Sequence, residues 1–98
     1  MMQSPIWQTE IGEGPLVACA IHDGHAVRPE VAECLKLDSV QRLYEEDPYT
    51  GAWTAIAPTR IIGRQSRFEV DLNRPRDKAV YITPADAWGL DVWRCSPA

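Results

Sequence analysis

The chain has 98 residues, room for one domain and not two. At 45% hydrophobic and 24% charged residues it has globular composition, which argues against a disordered chain. A net charge of −4 argues against a nucleic-acid backbone or an anionic membrane as partner, and no apolar run approaches the ~20 residues that cross a bilayer.

Residues 1–13 are polar and glycine-punctuated and read as a loose lead-in to a single α/β domain over 14–98. They lack the basic-then-apolar order of a signal peptide. Leu16 to Ile21 is a continuous apolar run, which predicts a strand covered on both faces, as in a parallel sheet. His22-Asp23-Gly24-His25 then breaks the run with a polar turn. Pro29 suits a first helical turn, and Val31, Cys34 and Leu35 fall at i, i+3 and i+4, so a short helix is expected over 29–36. Asp38 and Gln41 form a capping-box pair at the head of a second helix. Val40, Leu43 and Tyr44 give that helix an apolar stripe, and Pro48 ends it. A second strand is expected over 58–64. The alternation of Phe68, Val70 and Leu72 predicts a third extended piece, and 79–83 a further strand. Residues 84–88 open a helix or turn. Strand, helices, strand is the order of a crossover unit, so the expected architecture is a small mixed or mostly parallel sheet with flanking helices.

Cys19, Cys34 and Cys95 are odd in number and contain no Cys-x-x-Cys pair. They are expected to be reduced thiols of a cytoplasmic protein, with Cys19 and Cys34 in the core. Trp88, Leu90 and Trp93 are apolar close to the end of the chain. Two short helices do not obviously cover both faces of a parallel sheet, so a small open sheet, or one covered by a partner, is expected.

Chemistry concentrates in two places. Residues 66–77 hold Arg67, Arg74 and Arg76 with Asn73, Glu69, Asp71 and Asp77. The arginine fork matches a carboxylate two bonds at a time, so Asn73 and Arg74 are candidates for a carboxylate clamp; the plainer reading is an ion-paired turn. The second place is the C-terminal end of the first strand, where open α/β sheets bind ligands. His22 lies there. Asp47, or Glu46 beside it, closes the second helix. A histidine and a carboxylate meeting at that edge would supply two of the three protein ligands of a catalytic zinc. The plainer reading makes His22 and His25 turn residues and Glu45-Glu46-Asp47 a solvated helix end, although carboxylates there oppose the helix dipole.

GPLVACAIHDGH, EEDPYT and SRFEVDLNRPRD, in this order and spacing, resemble the N-terminal part of the N-formylglutamate amidohydrolases, zinc-dependent hydrolases related in fold to the zinc carboxypeptidases. The resemblance runs from about Gly14 to Trp93. SRFEVDLNRP is its specific motif; HDG is short, and the commoner family form has a small residue where Asp23 stands. The resemblance implies hydrolysis of an N-acyl amino acid with Zn2+ as cofactor. His22 would be the first metal ligand, and Asp47 the acidic ligand with Glu46 as alternate. Asn73 and Arg74 would grip the substrate carboxylate, and Arg67 would neutralise it or the oxyanion. The family's second zinc histidine and its general base lie on later segments with no counterpart in these 98 residues. The resemblance therefore implies an incomplete site needing a complementing chain, with His25 as a geometrically conceivable third ligand. A different reading makes the chain a non-catalytic domain that binds a small acidic ligand or a partner subunit, itself included, through an open sheet edge and the Trp88/Trp93 patch.

Overall fold

One mixed sheet gathers four short strands: β1 (Met2–Gln3), β2 (Trp7–Glu10), β3 (Val17–Ala20) and β4 (Thr59–Gly63). The computed structural model describes residues 2–3 and 6–96. The strand order is β1-β2-β4-β3. β2 runs antiparallel to both β1 and β4, with Thr9 opposite Ile61, while β3 runs parallel to β4, with Cys19 opposite Ile61. A parallel pair needs a crossover. Here it contains α1 (Pro29–Ala32), α2 (Ser39–Glu45) and a 3-10 turn at Thr50–Ile56. The expected small α/β fold with a mixed sheet is the one observed. Among the described residues no helix is long and apolar enough to cross a membrane.

Local chemistry explains the helices. Pro29 sits in the first turn of α1, where its missing N–H costs nothing. The capping box of α2 forms as expected. Asp38 accepts from the Gln41 amide at 2.8 Å, and the Gln41 side chain accepts from the Asp38 amide at 2.8 Å. Thr83 and Asp86 make a second capping box on the 3-10 turn Pro84–Ala87. Gly24 is required by contact: a Cβ there would lie 2.3 Å from the Arg64 carbonyl carbon. The loop after β3 can therefore lie directly on the chain leaving β4.

Several expectations fail for identifiable reasons. Residues 7–10, within the stretch read as a loose lead-in, pair with β4 along four positions. β3 is not covered on both faces. It is an edge strand, and Leu16, Val17 and Cys19 are exposed. Residues 68–72 form no strand. Ser66 accepts from the Glu69 and Val70 amides, which winds the segment into turns that bury Phe68 and Asp71 and leave Leu72 exposed. Residues 79–83 are also outside any strand. On α2 the apolar stripe of Val40, Leu43 and Tyr44 faces outward, and Arg42 is the buried residue because it turns towards the buried Glu46.

The core lies beside the sheet. Val31, Leu35, Leu37, Phe68, Tyr81, Ala87 and Val92 form one cluster, with Val27, Leu90 and Trp93 against it. The C-terminal segment is bound into this cluster. Lys36 donates its amide to Val92 at 2.8 Å and Arg94 to Cys34 at 2.9 Å. Cys34 and Cys95 are joined in a disulfide, which overturns the expectation of three reduced thiols; Cys19 is the free cysteine. The bond closes a loop with a sequence separation of 61. On chain entropy alone a loop of that length is worth about 4 kcal/mol. Reduction with dithiothreitol should lower the unfolding free energy by about 2–4 kcal/mol, read from urea denaturation. Cys34→Ser should already show that loss and gain nothing further from the reductant.

Candidate active site

Asp71 is the hub of the site. It is almost fully buried and lies in the turn after β4. The Tyr81 hydroxyl donates to its Oδ2, the Asn73 amide donates to its Oδ1 at 2.8 Å, and His22 Nε2 lies 2.6 Å from the same Oδ1. Arg67 Nη2 stands 3.4 Å and Arg74 Nε 3.8 Å from Oδ2. Burial alone would push this carboxyl up. The hydrogen bonds from Tyr81, His22 and the Asn73 amide outweigh burial and hold it at about 2, below its ordinary 3.8. Tyr81 moves the opposite way, to about 12, through burial and through its bond to Asp71, against the opposing pull of Arg67.

An ionised Asp71 can only accept, so the proton shared with His22 belongs to Nε2. In the neutral ring Nδ1 then carries the lone pair. Nδ1 lies 3.6 Å from Asp47 Oδ2. The Asp47 amide also donates to the His22 carbonyl at 3.0 Å, which ties the end of α2 to the end of β3. Both residues line a cleft of about 340 Å³ with Ala18, Ala20, Thr50 and Trp53. Tyr49, two residues past Asp47, has a left-handed backbone with φ 70°, a conformation that costs a non-glycine residue energy and that turns the chain sharply beside the cleft.

The three carboxylates at the end of α2 have three separate fates, so the reading as one solvated helix end does not hold. Glu45 accepts from Trp88 Nε1 at 3.0 Å. Glu46 is buried, and its carboxylate engages His25 Nδ1 and the Ser66 hydroxyl, with Arg42 Nε 3.8 Å away. Asp47 is the one that meets His22. His25 lies on this second cluster and also bonds Ser39 Oγ at 2.9 Å.

The arginines flank the hub. Arg67 donates to the Tyr81 hydroxyl at 2.9 Å and to the Glu45 carbonyl at 3.3 Å, with its guanidinium 4.8 Å from the Trp88 ring centroid. Arg74 donates to the Asp86 carbonyl at 2.8 Å and stacks on Tyr81 at 4.9 Å. Asn73 is exposed and follows Asp71 by two residues. His22, Arg67, Arg74 and the Asn73 backbone thus converge on Asp71, Asp47 joins them through His22, and Glu46 and His25 form a neighbouring cluster. Sequence reasoning assigned no role to Asp71, Tyr81 or Ser66. The signal was a carboxylate set between Val70 and Leu72, a place with no solvent-facing reason for a charge.

The two ring-to-carboxylate contacts of His22 give it the donor chemistry of a metal ligand with an orienting carboxylate behind it. Asp47 adds an oxygen donor at a separation close to the ~3.3 Å between ligands of a tetrahedral zinc. Among the described residues no group of three or more His, Cys, Asp or Glu side chains is placed to share an ion. The donor set fits two positions of a zinc site.

Asp71 makes stability depend on acid. Because its folded value is depressed, its contribution is fully present above about pH 4 and is lost as pH falls towards 2. Urea denaturation should show the wild type losing about 2 kcal/mol across that window. Asp71→Asn should lack that component and be less stable by a similar amount at pH 7.

No curated protein matches the chain, and no solved structure does. The sequence pattern of one family does match, over residues 14–94, a span that includes His22, Asp47 and the whole Asp71 turn. The chain belongs to the N-formylglutamate amidohydrolase family.

Proposed function

We propose that the chain carries the zinc-holding and carboxylate-gripping part of an amidohydrolase acting on an N-acyl amino acid of the N-formylglutamate type. The observation that supports this most is the state of His22. Its Nε2 is committed to a buried, ionised Asp71, and its Nδ1 faces Asp47 across 3.6 Å in an open cleft. A turn histidine with only a structural role has no need of two opposed carboxylates. His22 and Asp47 would hold the zinc. Bound there, zinc would supply a water acidified to a pKa of about 7.

The remaining work falls to the chain's own residues. Asp71 fixes the ring of His22 and its tautomer. Asn73, exposed beside the hub, and Arg74, one-third exposed on its side chain, hold the substrate carboxylate. Arg67, pinned by Tyr81, Glu45 and Trp88, supplies a fixed positive charge where negative charge develops on the acyl oxygen. A third metal ligand and a general base would come from a complementing segment or chain.

A second reading keeps the clamp and drops the chemistry: a domain that binds a small carboxylate or a partner. The two-donor count favours it, as does an apolar cleft of about 790 Å³ across the sheet, lined by Trp7, Ile21, Ile61 and Leu72 among others.

Zinc calorimetry on the 98-residue chain separates the readings. One-to-one binding that is lost in His22→Ala and weakened in Asp47→Asn supports the hydrolase reading. Absence of zinc binding, with carboxylate binding retained in both variants, would leave only the binding domain. In either case Arg74→Ala should weaken an N-acyl amino acid by about 1.5–3 kcal/mol, the usual worth of a hydrogen bond to a charged group. Unchanged affinity would remove Arg74 from the site.

A further inference from the structure

Asp47 is the less secure of the two donors. Its side chain is 56% exposed, and His22 is the one group its carboxylate meets among the described residues. Its placement is inherited from the backbone of residues 46 and 47, which is held by the bond from the Asp47 amide to the His22 carbonyl, by the Thr50 hydroxyl donating to the Asp47 carbonyl at 2.8 Å, and by the burial of Glu46.

Glu46 ends α2 in an extended conformation, φ −81° and ψ 170°. Successive side chains of extended backbone diverge, so turning Glu46 inward turns Asp47 the other way. The Glu46 side chain is fully buried. Its three partners come from three segments: His25 from the loop after β3, Ser66 from the turn after β4, and Arg42 from the preceding turn of α2. Arg42 Nε is itself buried without a hydrogen bond, so the close contacts to Glu46 are those of His25 and Ser66. Ser66 also accepts from the Phe68 amide, and its own amide donates to Ala26 at 2.8 Å. The same cluster therefore ties the loop that carries His22 to the segment that carries Asp71.

We infer that the His25–Glu46 pair, with Ser66, is a positioning device that sets Asp47 opposite His22. His25 is thus neither a free turn residue nor a third ligand. This rests on the reading of His22 and Asp47 as metal donors. A buried carboxylate stripped of its donors is left uncompensated, and it relieves that penalty by moving outward. Outward movement of Glu46 reverses the divergence and carries Asp47 away from Nδ1.

Cobalt(II) titration followed by its visible absorption bands tests this, alongside thermal melting of each variant. His25→Ala should melt cooperatively, since His25 is 39% exposed on its side chain, yet bind cobalt at least tenfold more weakly with altered bands. His25→Asn places an amide nitrogen where Nδ1 donates to Glu46 and should recover most of the affinity and the wild-type bands. Ser66→Ala, which removes the other donor, should repeat the loss. Affinities within twofold of wild type and unchanged bands in His25→Ala and Ser66→Ala would overturn the inference. So would failure of both variants to melt cooperatively, because the cluster would then be a folding element and nothing more. A wild-type chain that takes up no cobalt would overturn the reading of His22 and Asp47 as donors and this inference with it. Wild-type uptake that is indifferent to His25 would overturn this inference alone.

Discussion

A carboxylate kept ionised with almost no solvent around it is the constraint on which this molecule is organised. Burial alone would push the Asp71 carboxyl up, so it stays ionised only because donors surround it and hold it at about 2. Tyr81, His22, the Asn73 amide and Arg67 are those donors, with the Arg74 guanidinium 3.8 Å away; all but His22 come from the segment 67–81, and His22 is brought in from the end of β3. Satisfying one charge thereby fixes the hydroxyl end of a core aromatic, the tautomer of a histidine and the seats of two arginines. The turn at 66–74 follows from the same requirement, since an extended strand there could not bring Asp71 inward together with Phe68.

The sheet serves this hub as a platform. β3 ends at Ala20 and delivers His22 two residues later; β4 ends at Gly63 and delivers Ser66 and Asp71. Because the two strands are parallel, both deliveries occur at the same end. The left-handed backbone at Tyr49 and Trp88 turns the chain at the other two approaches, beside Asp47 and over Arg67.

Much of the fold was legible from local signals. The capping box at Asp38, Pro29 in the first turn of α1, the apolar run of β3 and the Pro58–Arg64 strand are each written in a few adjacent residues. Alternation misled at 68–72, where a two-residue period matched turns whose buried members are set by hydrogen bonds and not by a pleat. The stripe on α2 misled because a buried charge on Glu46 draws Arg42 inward, and a hydrophobic count cannot see that demand. That His22 and the acidic end of α2 lie near one another could be read from the end of a strand and the end of a helix. Which of Glu46 and Asp47 faces His22 could not, because it depends on partners 20 or more residues away. Asp71 was visible only as a charge between two apolar residues, and its burial is decided by Tyr81, which no local rule connects to it. The cysteines failed for the same reason: Cys34 and Cys95 meet only after the C-terminal segment has docked on α1.

The disulfide divides the site by covalent topology. Glu46, Asp47, Ser66, Asp71, Arg74 and Tyr81 all lie inside the ring it closes, whereas His22 and His25 lie on the open arm that precedes Cys34. A backbone nick anywhere in the ring leaves its carboxylates and arginines tethered to one another, while a nick between His25 and Cys34 frees both histidines. On a ribosome the ring cannot close until Cys95 emerges, 61 residues after Cys34. The histidine arm and β3 are therefore made, and exposed, well before the carboxylate that will orient His22 can be locked in place.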